Sequence, residues 1–312
     1  MTQQKSMSGR AWAELSLLAL IWGGTFLSVR VALDEIGFLT AVAHRVFWAA
    51  LVLWGVVLVL RLPVPKSPRI WAAFFVMGCL NNALPFSLMA WGQLHIESGL
   101  TAILNAATAV FGVVIAALAF QDERLGLRRL IGVTLGFLGV ATAIGLENIV
   151  QLDIRSLAQL AVLAGAVSYA LASVWARKKL SCLAPHVAAA GMLTCSSLVM
   201  IPVAVFVEGT PRLALKPETL VAIGYYALAA TAVAYLLYYR VLAMAGSGNL
   251  MLCTLLIPPV AIILGAWVRA EALVPQAFLG FALLALGLLV LDGRILQVFR
   301  PRADAQTGAP RQ

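Results

Sequence analysis

Ten times along the chain an apolar run of about twenty residues is followed by a short polar break, and this recurrence is the strongest constraint on what the sequence can build. A bilayer's hydrocarbon layer, about 30 Å thick, is crossed by roughly 20 helical residues. To within a few residues the runs fall at 12–32, 38–60, 69–94, 98–120, 127–146, 156–177, 186–207, 218–244, 247–268 and 275–296. Hydrocarbon offers no water to an unpaired backbone group, so runs of this length are expected as helices. Turn chemistry marks the breaks, as at Pro63, Pro65 and Pro68 or at Gly209, Pro211 and Pro217. With 62% hydrophobic and 11% charged residues and a mean hydropathy of +0.96, the chain fits neither a water-soluble domain nor a disordered or disulfide-stapled one. The expected fold class is an all-α integral membrane protein with ten transmembrane helices.

The net charge of +9 reports topology before it reports a nucleic-acid partner, which is not expected. If the N-terminus is cytoplasmic, 16 of the 22 Lys and Arg face the cytoplasm, 5 face the other side and Arg45 lies within a span. Both termini are therefore expected in the cytoplasm, in a plasma or inner membrane. The start, with Lys5 and Arg10 before an apolar stretch, resembles a signal peptide. Trp22, Gly23, Gly24 and Arg30 with no small-residue cleavage pattern argue that it is retained as the first span. Residues 297–312, rich in Pro, Ala, Gln and Arg, read as a disordered cytoplasmic tail. Cys79, Cys182, Cys195 and Cys253 form no CxxC pair and read as small core residues, with no metal site or cofactor expected.

The spans divide into two sets of five that lie over one another. Glu123, Leu125, Gly132 and Gly139 match Glu271, Leu273, Gly280 and Gly287 at one constant offset of 148 residues. Trp22 and Arg30 match Tyr169 and Arg177 at 147. The expected units are 11–146 (spans one to five) and 155–296 (spans six to ten). Five is odd, so the second copy enters the membrane from the opposite side. Such inverted-topology repeats offer two near-equivalent packings, one open to each side, with a binding site near the midplane.

Trp22-Gly23-Gly24-Thr25-Phe26 in span one, Arg45 in span two and the duplicated Glu-x-Leu then Gly-x6-Gly signature together resemble the drug/metabolite transporter superfamily, and within it the EamA-type exporters. The resemblance covers residues 11–296 and implies an inverted-repeat bundle in which the first four helices of each half surround a central cavity, with the fifth and tenth at the periphery. Such proteins often carry proline in both the fourth and ninth helices. Here Pro258 and Pro259 stand in the ninth, while Val110 and Phe111 hold the aligned positions, so an asymmetric kink is expected.

Polar side chains at membrane depth are costly and become candidates for binding. Asn81, Asn82 and Ser87 surround Pro85 in span three, and Asn105 and Thr108 lie in span four. Their carboxamides offer donors and acceptors to a substrate, or serve as interhelical hydrogen bonds. Trp22 and Tyr169 occupy equivalent places and either wall a shared cavity, offering an indole N–H and a phenol O–H, or simply pack. Tyr235, in the tyrosine-rich end of span eight, joins them as a lining residue. Arg45 has the fork that holds a carboxylate, and His44 beside it can titrate near neutral pH as a gate or proton site. Alternatively Arg45 reaches the interface or pairs with Asp34, Glu35 or Glu97 as a structural lock. Trp12, Trp71 and Trp267, at span ends, read as interfacial anchors.

No Asp or Glu occupies the middle of any span, which disfavours lipophilic cations as cargo. Glu123 and Glu271 are expected to cap the helix that follows each of them. A nucleophile with its base, paired aspartates and an HExxH motif are all missing, so a catalytic role is not expected. The reading that follows is a secondary transporter of small polar or zwitterionic metabolites, amino acids and their derivatives first, working by alternating access, with protons as a candidate coupling ion. Export is implied by the resemblance. The alternative is a flippase or transporter of a lipid-linked or drug-like substrate. A monomer or weak homodimer is expected.

The topology has a direct test. Alkaline phosphatase fused after residue 150 is expected to be active, and green fluorescent protein fused after residue 312 is expected to fluoresce; the opposite pair of results would invert the assignment.

Overall fold

The computed structural model of the chain describes residues 8–121, 126–144, 154–212, 214–238, 240, 241, 244 and 253–292. These form ten helical stretches and, among the described residues, no strand. They are α1 (Gly9–Ala32), α2 (Phe38–Val59), α3 (Pro68–Gly92), α4 (Ser98–Ala119), α5 (Leu127–Ile144), α6 (Ile154–Lys179), α7 (Pro185–Glu208), α8 (Pro217–Tyr238), α9 (Cys253–Arg269) and α10 (Pro275–Asp292). Seven of them, α1 to α4 and α6 to α8, are long and apolar enough to cross a membrane; α5, α9 and α10 are shorter or less apolar. Proline, whose missing N–H costs nothing at a first helical position, opens α3, α7, α8 and α10. The expected tail, 297–312, and Glu123 lie outside the described residues.

The packing repeats when the first five helices are exchanged with the last five. α2 packs on its counterpart α7, α4 on α9 and α5 on α10. The remaining principal contacts come in exchanged pairs: α1 on α9 with α6 on α4, α1 on α8 with α6 on α3, and α2 on α8 with α7 on α3. Small residues make these approaches possible. A Cβ on Gly23 would meet Val260 of α9 at 2.5 Å, and one on Gly24 would meet the Tyr225 hydroxyl of α8 at 2.4 Å, so the Gly-Gly pair seats α1 against two helices at once. Between α5 and α10 the contact is backbone on backbone. A Cβ on Gly139 would lie 2.4 Å from the Leu284 nitrogen and 2.7 Å from the Gly280 oxygen, and one on Gly287 would lie 2.7 Å from the Gly132 oxygen. The duplicated Gly-x6-Gly signature is thus the seam of a helix pair that packs chiefly on itself at one side of the bundle.

Polar contacts knit the two halves at the end opposite the start of α1, here the distal end. Three helices begin there without a cap from their own first residues, at Gly37, Glu97 and Lys216. In each case a carboxylate from the other half supplies it. Glu208 accepts from the N–H groups of Leu39 and Thr40 and from the Thr40 hydroxyl at 2.7–2.9 Å, closing the start of α2. Glu271 accepts from the Ser98 N–H at 2.9 Å and hydroxyl at 3.0 Å, closing α4. Glu35 accepts from the Lys216 N–H at 3.0 Å and from the Thr219 hydroxyl, closing α8. A negative charge at a helix N-terminus satisfies orphan donors and opposes the helix dipole. Ion pairs Arg155–Glu97 at 2.8 Å and Arg269–Asp34 complete the belt, again across the halves.

One sequence expectation is corrected here. Glu271 caps α4 of the opposite half, not the helix that follows it. The fourth and ninth helices do differ: α9 runs as helix through Pro258 and Pro259, while α4 is interrupted at Ala107 without a proline. Trp71, in the first turn of α3, donates its indole N–H to the Pro65 carbonyl at 2.9 Å, and its ring stands edge-on to Phe74.

Gly139→Leu is expected to cost about 1–3 kcal/mol by overpacking, read as a lower melting temperature of the detergent-solubilised protein. An unchanged melting temperature would show that α5 and α10 do not meet there. The hydrogen bond from Thr219, and after it the N–H of Lys216, hold Glu35 below its ordinary value of 4.5. A depressed carboxylate stabilises the fold above its unfolded value and loses that contribution as pH falls through the folded one. The melting-temperature gap between the natural chain and Glu35→Gln should therefore be present from pH 7 to pH 5 and close below pH 4.5.

Candidate functional site

The centre of the bundle holds the two places where transmembrane helices widen. In α3 the stretch Cys79–Ala83 and in α8 the stretch Tyr225–Val233 adopt the i→i+5 hydrogen-bond pattern. They lie at equivalent positions of the two halves, since Cys79 and Ala227 are 148 residues apart. In α3 the cause is Pro85: it has no N–H for the carbonyl four residues before it, and the turn ahead of it opens. In α8, where no proline stands nearby, the Thr231 hydroxyl donates to the Tyr226 carbonyl five residues back at 2.7 Å. Other carbonyls of the widened stretches take side-chain donors from neighbouring helices. Ser168 of α6 donates to the Leu80 carbonyl at 2.7 Å, and the Trp22 indole of α1 donates to the Ala230 carbonyl at 3.1 Å.

Arg45 projects between these two turns. Its Nε donates to the Thr231 hydroxyl at 3.1 Å, and its guanidinium lies over the Phe86 ring, 3.8 Å from the centroid. Tyr169, Tyr226 and Tyr235 are its ionisable neighbours, and among the described residues no carboxylate pairs with it. The guanidinium is held flat and aimed by Thr231 and Phe86, while its two terminal nitrogens have no protein acceptor among the described residues and the residue keeps partial exposure. The structural-lock alternative for Arg45 does not hold: Asp34 pairs with Arg269, Glu35 caps α8 and Glu97 pairs with Arg155.

The other candidates separate into two groups. Tyr169 stands edge-on to Phe86 at 6.3 Å between centroids, and Asn81 donates to the Tyr235 hydroxyl at 3.2 Å, so both tyrosines and Asn81 gather around Arg45. All three keep partial exposure. Asn82 stands behind them: it is fully buried, accepts from the Asn81 side-chain amide at 3.3 Å and donates to Ser196 of α7 at 2.9 Å, tying α3 to α7. Trp22 walls the region with Tyr238, 6.0 Å away, but its N–H is already given to Ala230 and is not on offer to a substrate. His44 turns away, as a neighbour 100° round the helix must. It accepts from the Trp48 indole at 3.2 Å and lines a groove of about 150 Å³ between α2 and α7 with Thr40, Phe47, Ile201 and Val205. Asn105 and Thr108 flank the break in α4, and the Asn105 carbonyl oxygen and Thr108 hydroxyl are both buried without a protein partner.

Thr231, Phe86 and Tyr226 are the site residues that the sequence reading missed. Thr231 carried a legible signal, as a hydroxyl within an apolar span. Phe86 did not, because an aromatic residue in a membrane helix is ordinary.

Residues 11–145 and 156–291 each match the family described as "EamA-like transporter family". The protein named "Protein PagO" of Salmonella typhimurium is 33% identical over 134 residues, 42% of this chain and 43% of that one, so the match spans less than half of PagO. "Uncharacterized transporter YoaV" of Bacillus subtilis is 20% identical over 88% of this chain and 93% of its own. "Probable terminal-alkyne amino-acid exporter" of Streptantibioticus cattleyicolor is 25% identical over 93% of this chain and 95% of its own. A solved crystal structure superposes with a TM-score of 0.66 over 94% of this chain and 100% of that one; at 14% identity the likeness is one of fold.

Proposed function

Since the chain belongs to the EamA-like transporter family, we propose that its cargo is a small carboxylate-bearing metabolite, amino acids and their derivatives first, gripped at its carboxylate by Arg45. One observation carries this reading: a guanidinium at the centre of the bundle is fixed through Nε and its flat face, while the fork that matches a carboxylate is free of acceptors among the described residues. Asn81 and the hydroxyls of Tyr169 and Tyr235 supply orientation around it, and the aromatic rings supply an apolar wall. The relative named "Probable terminal-alkyne amino-acid exporter" supports the same class.

Transport follows from the paired halves. The belt of carboxylate caps at the distal end holds both halves together there, and α3 and α8, weakened at their wide turns, are the helices best able to bend. Alternating access is then a change between closure at the distal end and closure at the opposite one, around a fixed Arg45. Export is the direction we infer, from a plasma or inner membrane with both termini in the cytoplasm, and the protein acts as a carrier without chemical conversion of its cargo. If protons couple to transport, His44 does not carry them through this site, because it faces the α2–α7 groove.

Flux of radiolabelled L-phenylalanine in proteoliposomes, with a panel of other amino acids as competitors, tests this. The natural chain is expected to transport at least one of them, Arg45→Gln to lose at least tenfold of that flux and His44→Gln to retain it. Absence of flux for every amino acid, or full flux by Arg45→Gln, would overturn the reading.

A further inference from the structure

We infer that the site prefers net anions to zwitterions, an inference that rests on the carboxylate role of Arg45: its best ligands carry a carboxylate and no free ammonium, as N-acylated or deaminated counterparts of aromatic amino acids do. Charge bookkeeping around Arg45 leads there. All 13 Asp and Glu of the chain fall at span ends or outside spans, so no carboxylate shares the midplane with the guanidinium. A bound carboxylate brings the site to neutrality, and an ammonium on the next carbon returns it to a net positive charge in a poorly solvated place.

Among the described residues around Arg45 no carboxylate compensates a second cation. The face of Phe86, the ring closest to the fork, is already covered by the guanidinium. Thr231 is used on both sides, accepting from Arg45 and donating to Tyr226, and the Ala230 carbonyl is taken by Trp22. What remains on offer near Asn81 and Tyr235 is a neutral amide oxygen and a hydroxyl. Neutral acceptors of that kind satisfy the single N–H of an acylated amine, whereas a desolvated ammonium needs a carboxylate or several carbonyls. The walls of Phe86, Tyr169, Tyr235 and Trp22 then suit an aromatic or other large apolar side group.

The test uses the purified full chain in detergent, with thermal stabilisation followed against ligand concentration. The ligands are L-phenylalanine, N-acetyl-L-phenylalanine, 3-phenylpropanoate and L-phenylalaninamide. N-acetylphenylalanine and phenylpropanoate are expected to reach half of their full effect at concentrations at least fivefold below phenylalanine, with phenylalaninamide inactive. Phenylalanine equal to or better than both anions would overturn the anion preference while leaving the carboxylate role of Arg45 standing. Phenylalaninamide as effective as the acids, or no stabilisation by any of the four, would overturn the carboxylate role and this inference with it. Arg45→Gln should abolish the response to both anions. Should that variant fail to fold, Arg45→Lys, which keeps the charge and loses the fork, should weaken each acid while preserving the order of anion over zwitterion, and a reversed order would also overturn the inference.

Discussion

Inside hydrocarbon every backbone N–H and C=O has to find its partner within the protein, and the places where this chain leaves regular helix are governed by that requirement. The two widened turns lie where helices from the other half surround them. Their freed carbonyls are met by Ser168, Trp22 and the Thr231 hydroxyl. Irregular backbone at membrane depth is tolerated where protein encloses it, and enclosure is also what a binding site needs. The irregularity of α3 and α8, the positioning of Thr231 and the aim of Arg45 are thus one arrangement: Thr231 satisfies a carbonyl of α8 and orients the guanidinium with the same oxygen.

The halves depend on each other at their ends as well as at their centre. α2, α4 and α8 begin without side-chain caps of their own, and Glu208, Glu271 and Glu35 supply them across the boundary. An N-cap contributes about 1 kcal/mol, small beside the packing of a whole helix. Several such contacts formed or broken together suffice to weigh one packing of the halves against another. The glycine seam of α5 and α10 has a different character. Its contacts are backbone to backbone and leave no room for a side chain, which suits a fixed side element more than a moving one.

Much of the fold was legible because apolar length is a local property of the sequence. The run at 38–60 became Phe38–Val59 and the run at 186–207 became Pro185–Glu208. The Gly-x6-Gly repeat was visible as a pattern, although its purpose, a backbone seam, depended on which helix lay opposite. The site was less legible for the same reason. Nothing local distinguishes Asn81, which faces Tyr235, from Asn82, which is buried against Ser196, or tells that Arg45 and His44 point to different places. Proximity along the chain points Glu271 to the helix that follows it, whereas the donor it satisfies is on Ser98, 173 residues away.

The placement of charge ties these observations together. A guanidinium at the centre of a bilayer-spanning helix costs about 2.5–3.5 kcal/mol on insertion scales, and a chain under no functional demand would be expected to neutralise it or do without it. This chain has carboxylates in reach of the same helices and commits them elsewhere: Asp34 to Arg269, Glu35 to α8, Glu97 to Arg155 and Glu208 to the start of α2 itself. Acid is therefore spent where it holds the halves together, and the midplane keeps a positive charge held by a hydroxyl and an aromatic face. Those two partners orient the guanidinium without cancelling it. Orientation without neutralisation is a poor solution for stability and a good one for a site whose counter-ion arrives with the cargo and leaves with it.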